Sequence, residues 1–268
     1  MINDIILVIL LSIIQGLTEF LPISSSAHLL LPSLLFGTKD LGLSFDIATH
    51  AGTLVAVIFY FKNDLMRMSS SLLNNDKSLL DDRRLAFLII IATVPIVIVG
   101  LLSSDLIKQR LFSLEISLQS IIATMNIVFA FVLMFAFAAG PKNRTIKQLT
   151  IFTAIFIGLI QVFALIPGAS RSGTAITAGL IAGLSLKDAS KFAFLLGIPT
   201  IFGALVFLLL DMIAPGVEID VLQLLVGFLI SSVVAFLTIK YFLLFVEKIG
   251  VMPFVIYRII LGMAIILI

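Results

Sequence analysis

The sequence predicts an all-α polytopic membrane protein of two inverted-topology repeats, each a re-entrant helical hairpin plus three transmembrane helices. Three observations lead there. Of its 268 residues, 61% are hydrophobic and only 12% charged, against about a quarter charged in soluble domains; mean hydropathy is +1.26. Six segments carry apolar runs long enough to span a bilayer, which takes roughly 20 residues. Two further segments are each split by a proline amid polar residues, and paired breaks of that kind point to a binding site between repeats.

Taken in order, residues 5–21 and 24–36 are short apolar runs parted at Pro22, which suits a hairpin that enters and leaves on one side. Spans follow at about 45–61, 86–102 and 118–139. The pattern then recurs: runs at 150–166 and 172–183, parted by Pro167 and Gly168, precede spans at 190–210, 222–240 and 251–268. Repeat one covers 1–139 and repeat two 150–268 of a single membrane domain. Three spans per repeat is an odd number, so the second repeat is upside down. Pro22 and Pro167 lie 145 positions apart, as do Ser25 and Ser170, and Gly52 and Gly197.

Loop charge sets the orientation. The loops at 62–84, 140–149, 183–191 and 240–250 hold Lys62, Arg67, Lys77, Arg83, Arg84, Lys142, Arg144, Lys147, Lys187, Lys191, Lys240 and Lys248. The other side has Lys39, Lys108 and Arg110, and no base accompanies Asp211, Glu218 and Asp220. Positive loops stay in the cytoplasm, so both termini and the first hairpin's opening lie outside, and the two hairpin tips meet near the midplane. A net charge of +2 without a basic cluster argues against nucleic acid. The absence of cysteine removes disulfides, thiolate ligands and a cysteine nucleophile. Met1 to Asp4 lacks the positive region of a signal peptide, so the start reads as mature sequence. With no tryptophan, interfacial belts fall to Phe and Tyr.

The chemistry concentrates in the two breaks. Gln15 and Glu19, four apart, share a helix face. Ser24, Ser25 and Ser26 follow Pro22 as N-cap candidates for the next helix. Ser25 and His28, three apart, share that helix's face. In the second break Ser170 or Ser172 caps a helix continuing through Thr174, with Arg171 between the two caps. Two helix N-termini favour phosphate, and a guanidinium grips phosphate oxygens bidentately. Glu19 has the wrong sign for phosphate unless a divalent cation sits between them, with Gln15 as its companion ligand. His28 is then a general acid or base candidate. The nucleophile is either Ser25, with the imidazole taking its proton, or water, with Ser25 only capping.

These residues resemble the undecaprenyl-diphosphatase family, the bacitracin-resistance type of integral membrane phosphatase. That family's first motif, Glu or Gln, three residues, then Glu, matches Gln15 and Glu19, with its serine at Ser25 and its histidine at His28. The second, Pro-Gly-x-Ser-Arg-Ser-x-x-Thr, matches Pro167, Gly168, Ser170, Arg171 and Ser172. It departs at the last position, where Ala175 lies between Thr174 and Thr177. The likeness extends to the ending Phe254 to Gly262. It implies hydrolysis of a C55 polyprenyl diphosphate on the outer face of the bacterial cytoplasmic membrane, recycling the carrier lipid for peptidoglycan synthesis. The site residues it implies are Glu19, Ser25, His28 and Arg171 for catalysis, and Ser24, Ser26, Gly168, Ser170, Ser172 and Thr174 for phosphate. It implies Mg2+ or Ca2+ as cofactor and a lipid substrate as partner, with room for a homodimer.

Other readings stand beside these. Inverted repeats with broken helices also build transporters, so a flippase of a polyprenyl phosphate or another anion is the alternative function. Arg258 reads as structural, paired with a buried acid. Asp46 and His50, spaced i to i+4, read as a helix-end pair at the outer interface rather than a second site. Gly179 and Gly183 read as a close-packing pair.

Overall fold

The computed structural model describes residues 2–38, 41–74, 76–113, 117–211 and 220–267, and every regular element among them is helical. Eleven α-helices follow one another: α1 Ile2–Thr18, α2 Ser25–Phe36, α3 Leu43–Tyr60, α4 Lys62–Leu73, α5 Leu80–Ser113, α6 Leu118–Ala138, α7 Ile151–Gln161, α8 Arg171–Ile181, α9 Leu186–Asp211, α10 Val221–Ile249 and α11 Met252–Leu267. Among the described residues, α3, α5, α6, α9 and α10 are long and apolar enough to cross a membrane. The sixth expected span, α11, has 16 residues and rises about 24 Å, short of a full crossing.

Both breaks are where the sequence puts them. Helix α1 stops at Thr18, before the apolar run ends at residue 21, and a turn through Pro22 leads into α2. Helix α7 stops at Gln161, followed by a 3-10 turn over Val162–Leu165 and the Pro167-Gly168 corner before α8. Lys39 and Glu218, used for the orientation, lie outside the described residues, as do the side chains of Lys108, Arg110 and Asp211.

Two spans exceed their expected length by ten residues or more. Helix α5 has 34 residues and α10 has 29, because good helix formers such as Leu, Lys and Glu continue beyond the apolar stretch. The basic segment after α3 is no simple loop: α4 is amphipathic, burying Met68 and Ser71. Arg67 is salt-bridged to Asp82 at 2.9 Å, and Lys191 to Asp64 at 2.6 Å.

Two sets of helix pairs correspond when the halves are exchanged: α10 of the second half packs against α3 and α1 of the first, and α5 of the first packs against α9 and α7 of the second. Small residues make these approaches close. A Cβ on Gly52 of α3 would fall 2.2 Å from Ser231 Oγ and 2.4 Å from the Phe228 carbonyl of α10. A Cβ on Gly158 of α7 would fall 2.3 Å from the Ala92 carbonyl of α5. Gly179 meets Ala189 of α9 in the same manner, as expected of a packing glycine. Helix α11 lies on α6 and closes the ring around the hairpin tips.

Candidate active site

The tips of the two hairpins touch. Ser172 Oγ donates to the Leu21 carbonyl at 2.8 Å, and Gly168 N donates to Ser26 Oγ at 3.2 Å. Across this seam Arg171 Nη2 donates to Glu19 Oε1 at 3.1 Å. Both side chains are almost buried, so losing either partner would leave an uncompensated buried charge at a cost of about 3–5 kcal/mol.

Backbone strain marks both tips. Ser24 and Ser170, the N-cap positions of α2 and α8, adopt φ of 69° and 71° with ψ of 102° and 114°. Such a conformation costs an L residue on the order of 1–3 kcal/mol and persists only where the surroundings enforce it. The expected capping occurs at one of the two. Ser170 Oγ accepts from Gly173 N at 3.1 Å, whereas Ser24 gives no side-chain cap and its hydroxyl pairs with Ser26 Oγ at 3.1 Å. Helix α2 therefore starts without a side-chain cap, an N-terminus disposed towards an anion.

Glu19 organises the rest. Its Oε2 accepts from Gln15 Nε2 at 2.9 Å and from Ser25 Oγ at 3.2 Å, and His50 Nε2 stands 3.8 Å away. His50 Nδ1 lies 2.8 Å from the Asp46 carbonyl, which can only accept, so the proton of neutral His50 is on Nδ1 and the Nε2 lone pair faces Glu19. Arg171 is steered by Phe20, whose ring centroid is 5.5 Å from Cζ, and by the Ala193 carbonyl at 3.4 Å. A Cβ on Gly197 would be 2.3 Å from Arg171 Nη1, so glycine alone leaves room for the guanidinium.

These groups form one end of a cavity of about 570 Å3. Glu19, Ser24, Ser25, Ser26, His50, Gly168, Ser170 and Arg171 line its polar end. The opposite walls are apolar: Ile96, Val97 and Leu101 of α5 face Ile201, Ala204 and Leu208 of α9. Val97 and Leu101 are solvent-exposed and lie within the apolar span of α5, so the cavity opens sideways between α5 and α9.

Four expected site residues are placed elsewhere. Gln15 is fully buried behind Glu19, off the cavity, and its amide donates to the carboxylate rather than facing a cation. His28 is turned away from Ser25: Nδ1 donates to the Ser24 carbonyl at 2.7 Å, and Nε2 accepts from Tyr257 at 2.8 Å, with both nitrogens occupied. One helix turn brought Ser25 and His28 to neighbouring positions, but Tyr257 of α11 captured the imidazole. Ser172 is spent on the Leu21 carbonyl and Thr174 on the Arg171 carbonyl at 2.8 Å. Thr177, the other neighbour of Ala175, is buried with no partner for its hydroxyl among the described residues.

His50 is the site residue that the sequence reading set aside. Its i to i+4 spacing from Asp46 was a genuine signal, but the link is to the Asp46 carbonyl, which frees the other nitrogen for the cavity. Arg258 differs as well: its partners among the described residues are carbonyls and Asn126, not an acid.

A family model described as "Bacitracin resistance protein BacA" matches residues 8–264. Curated relatives named undecaprenyl-diphosphatase are similar along almost the whole chain. The one from Alcanivorax borkumensis is 45% identical over 258 residues, 96% of each chain. That from Saccharophagus degradans is 44% identical over 260 residues, covering 97% of this chain and 96% of its own. That from Teredinibacter turnerae is 42% identical over 261 residues, 97% of each.

Proposed function

Because the chain belongs to the family of bacitracin resistance protein BacA, we infer that it hydrolyses undecaprenyl diphosphate to undecaprenyl phosphate and inorganic phosphate. It is a multi-pass membrane hydrolase that returns the lipid carrier to peptidoglycan synthesis, and bacitracin resistance follows from that activity. One observation carries the reading. A hydroxyl, a carboxylate, an imidazole and a guanidinium converge at the polar end of a cavity whose remaining walls are apolar and open sideways. A diphosphate on a long isoprenoid tail has that same division.

In the chemistry we favour, Ser25 Oγ attacks the terminal phosphorus. The bond to the bridging oxygen breaks, and undecaprenyl phosphate leaves with that oxygen. Ser25's proton passes to Glu19 Oε2, its present hydrogen-bond acceptor, with His50 Nε2 beside the same oxygen to take it onward. Water then cleaves the phosphoserine and releases phosphate. Arg171 and the uncapped start of α2 oppose the charge on the transferred group. For this Arg171 must turn one terminal nitrogen from the Ala193 carbonyl or Glu19 towards substrate.

A divalent cation such as Mg2+ or Ca2+ fits the site in a limited way. Among the described residues no three acidic or imidazole side chains converge, so the protein does not cage a cation. Mg2+ is commonly held by one or two carboxylates and substrate phosphates, and Glu19 would supply the carboxylate, with Gln15 orienting it. Bound there, the cation would neutralise diphosphate charge.

The basic loops on the far side support an active site opening towards the outer face of the cytoplasmic membrane. Phosphate release from C55 polyprenyl diphosphate by the purified protein in detergent tests the function. Hydrolysis needs no second compartment, so absence of release with intact protein would favour the transport reading.

A further inference from the structure

Arg258 of α11 is wholly buried and touches no part of the cavity. Its guanidinium binds the backbone of both hairpin tips. Nη1 donates to the Pro22 carbonyl at 3.4 Å; Nη2 donates to the Gly168 and Ala169 carbonyls at 3.0 and 3.1 Å. The Ala169 carbonyl directly precedes strained Ser170, and the Pro22 carbonyl lies one peptide further back from strained Ser24, with Ile23 between. Nε is fixed in turn by Asn126 of α6, 2.8 Å to Oδ1 and 3.1 Å to the carbonyl, and Asn126 Nδ2 returns a bond to the Arg258 carbonyl at 3.2 Å.

We propose that Arg258 is a positioning residue for the hydrolysis, holding the two hairpin tips in one register so that Ser25 and Glu19 of one repeat meet Arg171 of the other. The assignment rests on the phosphatase reading above. Physically, a planar fork with donors on three nitrogens spans carbonyls on two segments while also holding Asn126, whereas an ammonium gathers its three donors on one atom and cannot cover that span. The crowding agrees: a Cβ on Gly173 would come 3.0 Å from Arg258 Nη1, and one on Gly168, at φ 94°, would come 2.3 Å from the Ile122 carbonyl. The tips are thus clamped between α6 and α11. Positive φ at Ser170 persists because its preceding carbonyl is pinned, and the turn into Ser24 is held at the Pro22 carbonyl one peptide earlier. Without the pin both serines relax, and the 3.1 Å contact between Glu19 and Arg171 is left to the two hydrogen bonds that join the tips.

Arg258→Lys keeps the charge and removes the fork. Its kcat with C55 polyprenyl diphosphate should fall about 100-fold while KM stays within about threefold, because misplacement by an ångström is enough to cost that much. The discriminating readout is a second substitution. Glycine adopts positive φ without a steric cost, so Ser24→Gly in the Arg258→Lys background should recover roughly tenfold of the lost turnover by removing the strain the pin maintained. Independent effects of the two changes, or kcat for Arg258→Lys within about threefold of the parent, would overturn the proposal. If Arg258→Lys does not fold, Asn126→Ala decides: it loosens Nε and leaves the guanidinium in place. Lower kcat at unchanged melting temperature supports the pin, and unchanged kcat overturns it. A parent protein that releases no phosphate would instead refute the hydrolase reading itself.

Discussion

At the scale of single residues, Arg171 and the two histidines give the sharpest expectations. Arg171→Lys retains charge but loses planar geometry, and turnover should fall more than ~100-fold, about 3 kcal/mol of transition-state stabilisation. Steady-state kinetics on folded protein would check this, and near-normal turnover would make the arginine structural. His50→Gln should lower kcat without lowering the melting temperature, since it takes away the open lone pair beside Glu19. His28→Phe should lower the melting temperature, because His28 ties the strained Ser24 carbonyl to Tyr257. A His28 variant that melts normally yet turns over poorly would return that imidazole to the chemistry. Glu19→Gln should sharply raise the Mg2+ concentration needed for activity; an unchanged requirement would place the cation on substrate phosphates alone. The clustering of polar residues beside Pro22 and Pro167 made Glu19, Ser25 and Arg171 legible in the sequence. It could not reveal which of two imidazoles reaches the cavity, because that depends on Tyr257 and on the α3 backbone, each distant in sequence from the hairpin tips.

Among the elements, the hairpins were the most readable and the span lengths the least. Proline and glycine between short apolar runs announce a break from local chemistry alone. How far α5 and α10 run beyond their apolar stretches, and that α4 is a helix at all, depends on contacts between elements such as that of Arg67 in α4 with Asp82 in α5. Close helix approach also escapes a single sequence, since a glycine does not name its neighbour. Gly52→Val should destabilise the protein by ~3 kcal/mol or more, because the added carbons meet a carbonyl and a hydroxyl of α10 that cannot both retreat. Thermal unfolding in detergent would show it, and an unchanged melting temperature would mean α3 and α10 pack more loosely than their geometry indicates. Gly203 of α9 is the contrasting case, lining the apolar side of the cavity with open space where its Cβ would be. Gly203→Phe should therefore leave stability intact while obstructing a C55 substrate more than a C15 one. Equal activity on both would put the tail elsewhere.

For the whole molecule, the natural absence of cysteine makes topology directly measurable. A single cysteine at Asn143 should label from the cytoplasmic side and one at Asp220 from the opposite side; labelling of both from one side would break the inverted arrangement. The sideways opening between α5 and α9 has a kinetic consequence. Each buried methylene of a lipid chain contributes about 0.8 kcal/mol to membrane retention, so a C55 substrate essentially never visits water, and the enzyme encounters it by diffusion in two dimensions. Rate should then follow the mole fraction of substrate in the lipid phase rather than its bulk concentration. Adding inert detergent to mixed micelles at fixed enzyme and fixed substrate should slow turnover by surface dilution, although neither reactant has changed in amount.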